Sequence, residues 1–264
     1  MVSNRVRRVA GRWLLTTITT AVIARWLRCA LEDRPRMRRA HATEEEVGLS
    51  ATRYARFMRY SPMMLVYRRI VRLAGQRLAV AGSDSGRPLR VLDVGCGPGT
   101  LAAAIAAVQP DATVLALDRS ADMLHAARRQ QRSSRVRFLQ GDGAALPLRD
   151  ETVDLVVATL ALHHWRDGEA VLREVRRVLP ATGQVLLFDL RRDMALPIWL
   201  LIHLVTLFLG RVARLPGDDP AASVASAYTP AEAEWLAGRA GLRGVFARSG
   251  FAWLWLDGTR ARPD

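Results

Sequence analysis

An α/β fold with a doubly wound, Rossmann-like parallel sheet is predicted for this 264-residue chain on three observations. Between residues 89 and 190, apolar β-type runs alternate with helical stretches, the pattern of parallel strands with helices crossing back over them. The first run, Val91-Leu92-Asp93-Val94, breaks into glycines at 95, 97 and 99 and passes directly into an alanine-rich helix. The polar positions at 118, 142 and 163 fall, like this turn, at carboxyl ends of strands, where such sheets bind ligands. Half of the residues are hydrophobic, enough for one large core and too many for general disorder.

The elements follow in order. Residues 1–40 form a basic, partly apolar extension with ten arginines against Glu32 and Asp33, a net of +8; the other 224 residues carry only +6. All 39 basic residues are arginine, so part of the +14 total reflects composition rather than function. Arginines at 5, 7, 8 and 12 precede an uncharged run from Trp13 to Ala24, too short to span a bilayer and lacking a small-x-small cleavage site. Leu14, Ile18, Val22 and Trp26 recur at helical spacing, which fits either a basic amphipathic helix on an anionic membrane or a weakly docked extension. Met37 is an alternative start.

Residues 41–82 read as helical from the cap Thr43-Glu44-Glu45-Glu46 onward, with Tyr54, Phe57, Met58, Met64, Leu65, Tyr67, Ile70, Val71 and Leu73 at three- and four-residue intervals. Turn residues at 82–88 make a linker into the domain that occupies 83–264. Strands are expected near 89–94, 113–118, 135–140, 152–158 and 184–190, with helices near 99–108, 120–131 and 167–179. No residue from Met194 to Gly210 is charged. This apolar helical insertion near 195–210 is about 20 Å long at 1.5 Å per residue and must be covered by something. Packing against the preceding helices is favoured over a second subunit, a lipid surface or an apolar substrate. Residues 211–227 read as a loop, and Thr229 caps a helix with Pro230 at its first position. Two β-type runs, 243–248 and 251–256, meet at Ser249-Gly250 before a polar tail.

The glycine turn carries the chemistry. Without Cβ atoms the backbone can approach a ligand closely, and the free N–H groups of the next helix face the same space. A dinucleotide fingerprint would need Gly or Ala where the chain has Thr100, and a phosphate loop needs a lysine, which the chain lacks. Cys29 and Cys96 lie too far apart in sequence to suggest a disulfide or ligand framework. A reducing compartment is the simpler expectation.

Five ordered motifs carry a resemblance: the 93–99 turn, Leu115-Ala116-Leu117-Asp118, Gly141-Asp142-Gly143-Ala144-Ala145-Leu146-Pro147-Leu148, Leu160-Ala161-Leu162-His163-His164-Trp165 after the strand at 152–158, and Leu179-Pro180-Ala181-Thr182-Gly183-Gln184-Val185-Leu186. Over roughly residues 88–256 the chain resembles class I S-adenosylmethionine (SAM) methyltransferases, in particular the small-molecule branch that includes quinone-biosynthesis (type 11) enzymes. The resemblance implies a seven-stranded, mostly parallel sheet with an antiparallel last strand, and a helical lid over 41–82. It implies SAM as cofactor, held by Asp93, Gly95, Cys96, Gly97, Gly99, Asp118, Arg119, Met123, Gly141, Asp142, Gly143, Ala144 and Leu160. Asp118 would accept both ribose hydroxyls or simply cap the next helix, and Asp142 would accept from the adenine amine or serve as a turn aspartate. His163 or His164 is a candidate base, or shapes the pocket; Tyr60 is a further candidate catalytic residue. Adjacent histidines chelate poorly, and no metal is expected.

The expected reaction is in-line transfer of the SAM methyl group to a small apolar acceptor that is quinone-, lipid- or phenol-like. The rival readings are a non-catalytic SAM-binding regulatory or assembly protein and a nicotinamide-dependent oxidoreductase. Nucleic acid is not an expected partner. Peripheral membrane contact through 5–27 or 196–209 and a homodimer are compatible with the sequence. The expected location is cytoplasmic, with peripheral contact at the inner face of the membrane.

Overall fold

The computed structural model describes residues 19–35, 63–82, 88–131, 133–207 and 220–261. Seven strands form one sheet: β1 (Leu89–Val94), β2 (Ala112–Asp118), β3 (Val136–Gln140), β4 (Leu155–Thr159), β5 (Gln184–Leu190), β6 (Gly244–Ser249) and β7 (Trp253–Thr259). Their order is β3-β2-β1-β4-β5-β7-β6. β1 to β5 pair in parallel, and β7 runs antiparallel to both of its neighbours. The chain reverses its direction of travel across the sheet between β1 and β4, so a crevice opens at their carboxyl ends.

Alternate strand residues face opposite layers, as a sheet covered on both sides requires. Leu92, Val94, Val156, Ala158, Val185 and Leu187 pack with α5 (Gly168–Val178) and α8 (Pro230–Arg239). Val91, Leu155, Val157, Leu186 and Phe188 pack with α2 (Met63–Gly82) and α3 (Thr100–Val108). α4 (Ala121–Gln130) crosses between β2 and β3, with Ser120 accepting from the Met123 N–H as its cap. Thr229 and Glu232 close a reciprocal capping box at the start of α8.

Of the segment expected as a lid, 41–82, only α2 lies within the described residues, and it is a layer on the sheet. Tyr67, Ile70, Ala74 and Leu78 are buried there at helical spacing. Tyr60, the linker at 83–87 and the capped start at 43–46 lie outside the described residues. The expected fourth strand begins three residues later than read, at Leu155. Residues 151–154 are drawn away instead: the Glu151 and Val153 N–H groups donate to the last carbonyls of α5, and the Asp154 carboxylate accepts from the Arg90 N–H at 2.8 Å.

Two further corrections concern the apolar insertion, α6 (Leu196–Leu207). Part of the expected loop 211–227 is a short helix, α7 (Pro220–Ser226), whose Val224 joins Met194, Trp199 and Ala252 in a separate apolar cluster. The other side of α6 is covered by the N-terminal extension, where residues 19–32 form helix α1. Trp199 is 1% exposed and its Nε1 donates to the Ala30 carbonyl at 2.6 Å. His203 Nε2 lies 3.2 Å from the Asp33 carboxylate, and Arg34 donates to the Met194 carbonyl. The docking stripe is thus Trp26 and Ala30 on α1 with Arg34 just beyond its end, while Val22 of the stripe read from sequence faces outward.

Candidate functional site

The β1–α3 turn takes the shape its glycines allow. Gly95, Gly97 and Gly99 have φ of 74°, 51° and 72°, a region that costs other residues free energy. The reason differs along the turn. A Cβ on Gly95 would stand 2.7 Å from the Ala161 Cβ, and one on Gly99 would stand 2.8 Å from the Phe138 ring. These two glycines therefore also clear protein neighbours, beside the ligand approach that the sequence suggested. The Gly95 and Cys96 N–H groups donate to the Leu117 carbonyl, which ties the turn to β2. Gly99 has no side chain to cap α3, and apart from the Ala102 N–H, which donates to Asp93, the helix's first amides suit an anionic group.

Two carboxylates frame the turn. Asp93 lies on the α3 face of β1, buried, accepting from the Ala102 backbone, with no hydrogen-bond partner for Oδ2 among the described residues. Burial, and then the neighbouring Asp118 charge, push its carboxyl up to about 7. A buried acid with an unused oxygen is poised to receive a cationic or donating group. Asp118 instead clasps the turn: Oδ2 accepts from the Gly97 N–H at 2.7 Å and Oδ1 from Ser120 at 2.9 Å. Burial raises its carboxyl, while these two bonds oppose the rise. These bonds tie the β2 end to the glycine turn and to the start of α4, and each oxygen retains acceptor capacity for a hydroxyl.

The rim is built from the ends of β3, β4 and β5. The Gly141 N–H donates to the Asp118 carbonyl, joining the β3 and β2 ends. Asp142 is exposed, accepts from the Ala144 N–H at 2.9 Å and lies 3.8 Å from Arg119. A Cβ on Gly143 would press on Val94 and Val171 at 3.2 Å. Met123 is buried in the first turn of α4. Leu160 follows β4 at φ 53°, a strained value for a branched side chain, and donates its N–H to Phe188. Burial and nearby acids push the Cys96 thiol far up, so it fills the turn as a neutral side chain.

The two histidines are unequal. His163 is buried and Nδ1 lies 2.6 Å from Asp189 Oδ1, while the His163 backbone N–H donates to Asp189 Oδ2 at 2.9 Å. His164 is half-buried and stacks on His163 with ring centroids 4.1 Å apart. Asp189, at the end of β5, escaped the sequence reading. Its signal was available, since it is an aspartate next to the end of an apolar strand, as Asp93 is, while Asp118 ends its own. The short 3-10 turn Leu162–His164 that carries both rings packs against α7.

Comparisons with known proteins agree with the fold. Residues 92–187 match the methyltransferase domain family. The chain is 36% identical over 110 residues to a fatty-acid O-methyltransferase of Mycolicibacterium smegmatis, covering 42% of this chain and 40% of that protein. Against the ubiquinone/menaquinone biosynthesis C-methyltransferase UbiE of Syntrophotalea carbinolica it is 31% identical over 183 residues, covering 68% and 74%. A demethylmenaquinone methyltransferase of Thermus thermophilus is 34% identical over 119 residues, of which the chain spans 54% of the length. The crystal structure of a SAM-dependent methyltransferase from Aquifex aeolicus shares the fold, with a TM-score of 0.52 at 19% identity over 66% of this chain and 84% of that one.

Proposed function

Because the chain belongs to the SAM-dependent methyltransferase family, we propose that it transfers the SAM methyl group to a small apolar acceptor. One observation carries the reading. At the crevice between β1 and β4, a helix N-terminus whose N-cap is a glycine and a buried, half-unused carboxylate flank one glycine turn. Together they suit an amino acid with both carboxylate and ammonium, on a ligand that also bears a nucleoside. The α3 amides take the carboxylate, and Asp93 Oδ2 takes the ammonium. Asp118 offers its remaining lone pairs to the ribose hydroxyls, and Asp142 with the Ala144 backbone takes the adenine edge.

Bound SAM supplies an electrophilic sulfonium methyl. The chain's task is then to hold an electron-rich acceptor atom in line with that methyl and to exclude water, and positioning of this kind contributes up to ~7–11 kcal/mol. Asp189 fixes His163, and the stacked pair holds His164 at the rim, where it receives a proton if the acceptor must lose one. The apolar acceptor is supported by the helices beside this turn. α7 touches it, and α6 behind α7 carries no charged residue. Relatives named for fatty-acid and demethylmenaquinone methylation fit the same class.

The test is a labelled-methyl screen with lipid, quinone and phenolic extracts. Label entering an organic-soluble product supports the reading. SAM binding with no label transferred to any pool would favour a non-catalytic SAM-binding protein.

A further inference from the structure

α6 has two faces, and the described residues cover only one. Ile198, Trp199, Ile202 and His203 face α1 and α7, while Leu201, Leu204 and Val205 point outward and are 59%, 51% and 40% exposed. The outward residues recur at helical spacing. α1 adds Val22, Ile23 and Leu31, all about half or more exposed. Phe251, 76% exposed, stands at the amino end of α6, where its carbonyl accepts from the Ala195 N–H. A surface of this kind, made of large apolar side chains on adjoining elements, marks an interaction site.

We infer that this α1–α6 face docks on an anionic lipid surface. Charge selects the occupant. Arg25 and Arg28 are exposed on α1 itself, and the first 40 residues hold ten arginines against two acids. Apolar side chains beside an arginine-rich segment are the composition of a helix lying in a membrane interface. A second copy of the chain would bring the same positive charge against itself. Length points the same way, since α6 has 12 residues and no helix among the described residues is long and apolar enough to cross a bilayer.

The face adjoins the methyl-acceptor side, since α6 packs on α7 and α7 touches the Leu162–His164 turn. Docking therefore brings the carboxyl end of β4 toward the bilayer, from which an apolar acceptor enters directly. This purpose rests on the methyl-transfer reading; the docking does not.

The test is sedimentation of the full chain with vesicles of phosphatidylglycerol and phosphatidylcholine, and with phosphatidylcholine alone. SAM binding is measured in parallel. Binding is expected to the mixed vesicles only. The paired change Leu201→Glu and Leu204→Glu should weaken it at least tenfold, Val22→Glu with Ile23→Glu should act likewise, and both pairs should leave SAM affinity unchanged. Trp235→Glu, at an exposed aromatic on α8, should change nothing. The docking surface is refuted if the chain ignores anionic vesicles, if the paired α6 variant binds them as well as the parent does, or if that variant merely dissociates a dimer. Vesicle binding without any SAM binding would instead overturn the proposed function and leave the docking surface standing.

Discussion

Replacing Asp93 by asparagine separates stability from cofactor binding. In the ligand-free chain, burial raises this carboxyl from 3.8 to about 7. The folded chain therefore keeps the proton over a range in which the unfolded chain has lost it. The stability this confers is complete below pH ~4, falls as pH rises from about 4 to 7, and is gone above 7. At about 1.4 kcal/mol per pH unit, the folded chain loses about 4 kcal/mol across that window. Asparagine keeps an acceptor for the Ala102 N–H and cannot ionise, but its buried amide N–H groups cost about 1–3 kcal/mol if unpaired. Asp93→Asn should therefore be more stable than the parent by about 1–3 kcal/mol at pH 8, and less stable than it at pH 4. Urea unfolding at the two pH values reads this directly. SAM affinity should move the opposite way: the parent binds more tightly at pH 8 than at pH 6, while the variant binds weakly at both. A variant less stable than the parent at pH 8 would refute the claim that Asp93 is a strained, unused carboxylate awaiting a cation.

Other positions give independent checks. Gly95→Ala places a Cβ 2.7 Å from Ala161 at a φ of 74°; the strain and overpacking should cost about 2–4 kcal/mol by denaturant unfolding. Asp118→Ala removes acceptors from the Gly97 and Ser120 N–H groups, so SAM binding and thermal stability should fall together, by about 2–3 kcal/mol in stability. Asp189→Asn disturbs the His163 contact and should lower kcat more than SAM affinity, with a changed pH profile for methyl transfer. Trp199→Ala breaks the bond to Ala30 and opens a cavity. It should cost about 3–5 kcal/mol and expose residues 19–35 to limited proteolysis.

The sheet was legible because its strands are short apolar runs and its first turn is punctuated by glycines, both local signals. The antiparallel β7 followed from the resemblance and from the Ser249-Gly250 break. What escaped the sequence depends on contacts between distant segments. Nothing near Asp189 announces His163, 26 residues earlier, and no local pattern in α6 selects Ala30 and Asp33 over the preceding helices as its cover. α7 is only seven residues in an Ala- and Ser-rich stretch, too short to carry a helical period and formed because Val224 has a cluster to join. Asp118 shows the limit at a finer scale. Its place at the strand end was readable, whereas its clasp on the Gly97 N–H depends on how the β1 and β2 ends align.

The most direct measurement is a calorimetric titration of the full chain with SAM, S-adenosylhomocysteine and NADH at pH 8. Saturable binding of the two adenosyl ligands near one per chain, with no heat from NADH, is the predicted result. Binding of NADH in place of SAM would contradict the assignment of the glycine turn.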